Sequence, residues 1–161
     1  MKQAFKKMDS VRRQSEPKDT VKNLLTKSPR EIIYSPTKTE FLGIKQVLAE
    51  VVRFRHTRYL NLTVKAALAQ PVMVNEQNKL YIVSAGQMIS LSSIGRTGSK
   101  GTEKRNVNEL QLVYSLPEDD FKLLSSQKVT SVKIDYDGGE WVLNLDVEGS
   151  EKIKKICMQS R

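Results

Sequence analysis

Residues 43–66 read GIKQVLAEVVRFRHTRYLNLTVKA, and their reading decides the fold. Ile44, Val47, Leu48, Val51 and Val52 match the i, i+3, i+4, i+7, i+8 spacing of an amphipathic helix. The second half contradicts that period. Leu60, Leu62, Val64 and Ala66 alternate with Tyr59, Asn61, Thr63 and Lys65, the two-residue period of a half-buried strand. Val51-Val52-Arg53-Phe54-Arg55 has the β-branched and aromatic content of a strand end, and His56-Thr57 supplies a tight connection. The stretch is predicted as a β-hairpin, with helix and strand competing over 43–52.

Strand patterns continue downstream. Val72–Val74, Leu80–Val83 and Met88–Leu91 are short apolar runs, separated by Asn75-Glu76-Gln77-Asn78 and Ala85-Gly86-Gln87, both good turn chemistry. They predict an antiparallel meander. GRTGSKGTEKRN at 95–106 reads as a mobile loop between strands, and Leu110, Leu112 and Tyr114 resume the alternation. Ser115-Leu116-Pro117-Glu118-Asp119-Asp120 reads as a helix start, with Ser115 or Leu116 as cap, for a helix over 117–125. Val129, Val132 and Ile134 lead through Asp137-Gly138-Gly139 into a return strand with Trp141, Leu143, Leu145 and Val147. Glu148-Gly149-Ser150 then breaks the strand and caps a final helix over 150–159, whose stripe is Ile153, Ile156 and Cys157.

Upstream of the hairpin the pattern is different. Ala4, Phe5, Met8 and Val11 are spaced as on a short helix that Glu16-Pro17 interrupts. Residues 18–27 predict a second short helix with Val21, Leu24 and Leu25 on one face. Ile32, Ile33 and Tyr34 read as a brief strand.

The chain has 161 residues, 39% of them hydrophobic and 28% charged, enough for one core and too polar for a membrane bundle. Its net charge of +9 is concentrated at the front: residues 1–30 hold nine basic and three acidic groups, a balance of +6. The predicted organisation is a basic arm over 1–30 and a single β-rich domain over 31–161. Such an arm either keeps the domain soluble or meets a polyanion by releasing counterions. The opening residues, MKQAFKKMDSVRRQSEPKD, hold no apolar run of signal-peptide length, and no later run approaches a membrane span. As it stands the sequence predicts a cytoplasmic protein, or the mature part of an exported one.

Reactive chemistry is sparse. The one cysteine, Cys157, excludes an internal disulfide, and with the one histidine, His56, it makes the sole candidate nucleophile dyad. Its neighbours Ile153 and Ile156 predict a small buried hydrophobe instead. Glu118, Asp119 and Asp120, and Asp135 with Asp137, are explained by helix and turn formation. The loop around Gly98 fails the phosphate-loop spacing, though Arg96 and Lys100 could hold an anion there. Arg53, Phe54, Arg55, Arg58 and Tyr59 interleave cations and aromatics as single-strand binders do, without a recognised nucleic-acid motif. No catalytic residue, metal site or cofactor is predicted.

Tyr59-Leu60-Asn61-Leu62, Leu80–Val83 with Gly86 and Ile89-Ser90-Leu91, Tyr114–Asp119, Val129–Ile134, the Gly138-Gly139 hairpin and the Lys152–Ile156 helix occur in an order that resembles a loose group of small Bacteroidetes proteins of unknown function. The resemblance covers about residues 58–161. It implies a β-rich domain closed by a C-terminal helix, often exported, and brings no catalytic residues.

The expected fold is α+β: mainly an antiparallel sheet or flattened β-sandwich, with short N-terminal helices and a C-terminal helix. The expected function is a non-catalytic binding or interaction module, with a protein partner or envelope component as ligand. The alternative is a nucleic-acid or anionic-surface binder using Lys2, Lys6, Lys7, Arg12, Arg13, Arg53, Arg55 and Arg58, with Arg96 and Lys100 as further anion contacts.

Overall fold

The computed structural model describes residues 30–35, 44–67, 72–95, 97–98, 100–102 and 107–160. The strands are β1 (Glu31–Tyr34), β2 (Ile44–Phe54), β3 (Thr57–Ala66), β4 (Met73–Val74), β5 (Lys79–Ser84), β6 (Gln87–Ser92), β7 (Thr97–Gly98), β8 (Lys100–Thr102), β9 (Val107–Leu116), β10 (Val129–Tyr136) and β11 (Gly139–Asn144). Two helices follow the same chain order, α1 (Glu118–Ser126) and α2 (Val147–Gln159). A five-stranded sheet runs β1-β2-β3-β9-β8, a four-stranded sheet runs β11-β10-β5-β6, and β4 with β7 forms a small ribbon. Every pairing is antiparallel. The α+β expectation therefore holds, while the helices predicted over 1–15 and 18–27 lie outside the described residues.

The ambiguous stretch is strand throughout. β2 pairs with β3 from Ile44↔Ala66 to Phe54↔Thr57, with a register shift between Ile44 and Gln46. That bulge explains the helical look. It lets Ile44 and Val47 both reach the core, and beyond it Val47, Ala49 and Val51 face one way and Leu48, Glu50 and Val52 the other. Apolar residues on both faces of a bulged strand imitate a period near 3.6. The connecting turn is Arg55-His56, one residue earlier than predicted, and Arg55 takes a φ of 58°. Thr57 already belongs to the ladder.

The core lies between the two sheets. Val47, Ala49, Leu60, Leu62, Val64, Leu110, Leu112 and Tyr114 from the first sheet meet Leu80, Ile82, Leu91, Val132, Ile134 and Leu143 from the second. Phe121, Leu124, Ile153, Ile156 and Cys157 complete it from the helices. Each fully buried leucine or isoleucine contributes about 1.5–3 kcal/mol. The β5–β6 hairpin turns through Ala85 and Gly86, both at positive φ, and Gly138 turns β10 into β11.

Four expectations need correction. Only β5 and β6 form the predicted meander, because β4 leaves it to pair with β7. The 95–106 segment is not simply a loop: β7 and β8 lie within it, and β8 extends the first sheet along β9. Ser115 and Leu116 remain in β9, so α1 starts after Pro117, which offers no side-chain cap, and Glu118, Asp119 and Asp120 face the helix's positive end instead. Finally, α2 begins at Val147 because Asp146 caps it, its side chain accepting a 2.7 Å hydrogen bond from Gly149 N–H. Glu148, Gly149 and Ser150 are helical, not a break.

These last residues fix how α2 sits. A Cβ at Gly149 would strike the carbonyl oxygen of Ile33, so only glycine lets the helix lie this close to β1. Ser150 Oγ accepts a 2.9 Å bond from Val129 N–H, and Lys155 Nζ donates to Glu31 at 2.6 Å. The helix thus holds β1 beside β2, which places Arg30 on the sheet edge.

Candidate binding surface

The two helices and the second sheet all meet the inner face of the five-stranded sheet. Its outer face carries Leu48, Glu50, Val52 and Phe54 from β2, Tyr59, Asn61, Thr63 and Lys65 from β3, and Glu109, Gln111 and Val113 from β9, as the strand register dictates. This face is buried at its centre: Glu50 is 0%, Asn61 1% and Thr63 2% exposed.

Two neighbouring chemistries share it. Val52, Tyr59 and Val113 form an apolar cluster joined by Phe54 and Ile94 towards the β2–β3 turn. Beside them lies a polar group. Asn61, directly across from Glu50, donates Nδ2–H to Glu50 Oε1 at 2.8 Å, and Arg30 Nε approaches the same oxygen at 3.4 Å. Glu50 Oε2, Asn61 Oδ1 and Thr63 Oγ are buried without a hydrogen-bond partner among the described residues.

Buried polar atoms in folded proteins are almost always paired, and an unmade bond costs about 1–3 kcal/mol each. Two of these oxygens, Glu50 Oε2 and Asn61 Oδ1, are acceptors, and the Thr63 hydroxyl can donate or accept; none of the three has a partner among the described residues. Burial pushes the Glu50 carboxyl up to about 6, against the opposing pull of the Asn61 bond and the Arg30 charge. The Tyr114 hydroxyl is also buried without a partner, but it stands on the inner face among apolar side chains, where burial and then Asp135 raise its pKa.

The residues singled out from the sequence are dispersed. Arg53 and Arg55 are exposed at the β2–β3 turn, and Arg55 lies 5.2 Å from the centroid of the Phe54 ring. Arg58 turns away from them. Its guanidinium stacks 3.8 Å over Phe121 and pairs with Glu118, so it ties β3 to α1 instead of joining an exposed cationic patch. Phe54 and Tyr59 pack in one apolar cluster. His56 is exposed in the turn, whereas Cys157 is buried in the core.

Lys2, Lys6, Lys7, Arg12, Arg13 and Arg96 lie outside the described residues. Lys100 pairs with Glu109 through its backbone in β8. Among the described residues no cluster of His, Cys, Asp and Glu could hold a metal ion, and no helix is long and apolar enough to cross a membrane.

Glu50, Asn61 and Thr63 were not legible as a site. The polar side of the β3 alternation reads as solvent-facing, and the available signal was the single charge in Val47-Leu48-Ala49-Glu50-Val51-Val52. No family model, curated protein or solved structure matches the chain.

Proposed function

We propose that this protein is a non-catalytic binding module that receives a basic, lysine-bearing peptide segment on the outer face of its five-stranded sheet. The observation that carries this reading is the unpartnered set of Glu50 Oε2, Asn61 Oδ1 and Thr63 Oγ. A lysine ammonium brings three donors and a positive charge, which suits a carboxylate oxygen with an amide oxygen and a hydroxyl on neighbouring residues. The apolar cluster of Val52, Tyr59 and Val113 next to it suits an aliphatic neighbour on the same segment.

The test is a titration of the whole protein with a synthetic amphipathic Leu/Lys peptide, followed by the methyl NMR signals of Val52 and Val113. The expected result is saturable shifts at these methyls, weakened about tenfold or more by Glu50→Gln, since hydrogen bonds to charged groups are worth about 1.5–3 kcal/mol. Equal binding by wild type and E50Q would overturn the reading, as would preference for a Leu/Glu peptide.

Exposed Arg53 and Arg55 favour a second reading, polyanion binding assisted by the basic arm. It predicts heparin affinity that falls steeply with salt and is lost in Arg53→Ser/Arg55→Ser.

A further inference from the structure

The outermost strands of the two main sheets differ in how far their edges are blocked. β1 is bulged against β2 and tied down by Lys155 through Glu31, and β8 has only three residues. β6 runs on into Ser93, which bridges to Tyr114 of the other sheet. β11 has none of these devices. It pairs with β10 in unbroken register from Gly139↔Tyr136 to Asn144↔Ser131, and has no strand on its other side among the described residues. Edge strands are commonly blunted by lysine, proline or a bulge, and GEWVLN contains no such feature.

Ladder parity fixes which groups look outwards. The two-residue turn Asp137-Gly138 makes Tyr136 and Gly139 a hydrogen-bonded pair, and at the other end Leu145 N–H donates to the Thr130 carbonyl at 2.9 Å. Gly139, Trp141 and Leu143 therefore turn their peptide groups towards β10. Glu140, Val142 and Asn144 turn theirs to the open edge, and their side chains stand together on the exposed face of the second sheet.

We infer that β11 pairs antiparallel with β11 of a second copy of this chain, about a two-fold axis at Val142. Such a contact needs a patch complementary to itself. Centred on Val142, the pairing sets Val142 against its own counterpart and each Glu140 against Asn144 of the other copy. All three pairs are of the hydrogen-bonded type, exchanging two backbone bonds apiece, whereas an axis at Trp141 or Leu143 leaves two such pairs. On the exposed face the Asn144 amide donates to the Glu140 carboxylate across the junction, and the Val142 side chains, 44% exposed in one copy, cover each other. The same operation on β6 sets Met88 against Ser92, which offers no comparable match.

The edge is already ordered. The Tyr136 ring packs 4.5 Å from that of Trp141, and so close over Gly139 that a Cβ there would meet its hydroxyl at 2.7 Å. Lys133 Nζ, 2.9 Å from Glu140 Oε2, steadies the carboxylate beside the strand. Association thus has little left to immobilise. It joins two four-stranded sheets into one and stops there, because each copy has used its β11. The site is on the other sheet from Glu50, so it stands or falls independently of the recognition reading.

The experiment is sedimentation equilibrium of the full chain from low micromolar to millimolar concentration, with amide hydrogen exchange in parallel. Expected is a monomer–dimer equilibrium in which exchange at Glu140, Val142 and Asn144 slows only as the dimer forms. Val142→Glu suits the monomer, where the new carboxylate faces Lys133 across the strands, but it opposes two like charges at the axis and should weaken the dimer about tenfold or more. Asn144→Lys places an ammonium opposite Glu140 of the other copy and should tighten it about threefold or more. A monomer at every concentration would overturn the inference, as would a dimer that neither substitution changes or whose edge amides exchange as in the monomer. Growth beyond the dimer would do the same, since it marks a contact that does not close. So would slow exchange at every concentration, the mark of an edge occupied within one chain. Exchange is read on the wild type, so the outcome does not depend on either variant folding.

Discussion

The two faces of the five-stranded sheet are built from the same strands to opposite specifications. The inner face, with Leu60, Leu62, Val64, Leu110 and Leu112, is apolar and meets a second sheet and two helices. The outer face is as dry at its centre, but it buries Glu50, Asn61 and Thr63 and leaves three oxygens unpaired. One face has its stabilising partners within the described chain, whereas the other carries a cost that a donor would relieve. Burial alone does not identify an apolar core; the two faces are equally buried and differ in whether the polar atoms they bury are paired.

Substitutions on the two faces test that contrast. Leu62→Ala on the inner face is expected to destabilise by about 2–5 kcal/mol in urea unfolding, through lost burial and a residual cavity. A cost below about 1 kcal/mol would mean that the sheets are loosely opposed. Gly149→Ala forces α2 away from the Ile33 carbonyl and is expected to cost about 1–3 kcal/mol. It should also move the amide signals of Arg30 and Glu50, because α2 positions the strand that delivers Arg30. Unmoved signals would show that the seat of Arg30 does not depend on the helix.

The third prediction concerns pH. The Glu50 carboxyl rises from 4.5 to about 6 on folding, so between those values the folded protein holds a proton that the unfolded chain has released. Its contribution is fully present below pH 4.5 and is lost as pH rises through 6, a fall of about 2 kcal/mol. Arg30 faces the carboxyl from the sheet edge, and Lys65 and Glu109 stand further along the same face. Glu50→Gln should flatten this part of the stability profile, and saturating Leu/Lys peptide should flatten it in the wild type by holding the carboxylate charged. A slope that survives in E50Q would assign it to another group. The smallest effect belongs to Thr63→Val, which removes an unpaired hydroxyl: a change within about 1 kcal/mol, neutral or stabilising, measured by thermal unfolding. A loss above that would show that the hydroxyl has a partner in solution.

The sequence was most readable where one face of a strand decides the pattern. The Gly138 hairpin and the Ile153–Ile156–Cys157 stripe are local signals, and each is realised; the β3 alternation does form a strand, but one buried on both faces over residues 59–64 instead of half-buried. It was least readable where tertiary contact overrides local preference. Glu148-Gly149-Ser150 resembles a break until Ile33 and Val129 supply the reasons for a glycine and a serine inside a helix. The candidate surface was hidden for a related reason. Period-two alternation separates the two sides of a strand but does not say whether the polar side meets water, and β3 is central, flanked by β2 and β9. Arg58 shows the converse: a cation that reads as a free ligand contact from its neighbours Arg53 and Arg55 is committed to Phe121 and Glu118.

The passage of the chain out of β6 has a further consequence. Ser93 bridges to Tyr114 and Ile94 bonds to Val113, while β8 pairs with Lys100↔Glu109 to Thr102↔Val107 at the far end of the same strand. The flank of β9, whose Leu110, Leu112, Val113 and Tyr114 are buried hydrophobics, is thereby fenced at both extremities by its own chain. An uncovered ladder of that composition is a template for intermolecular zippering, so this stitch between sheets guards a strand-rich protein against fibrous self-association.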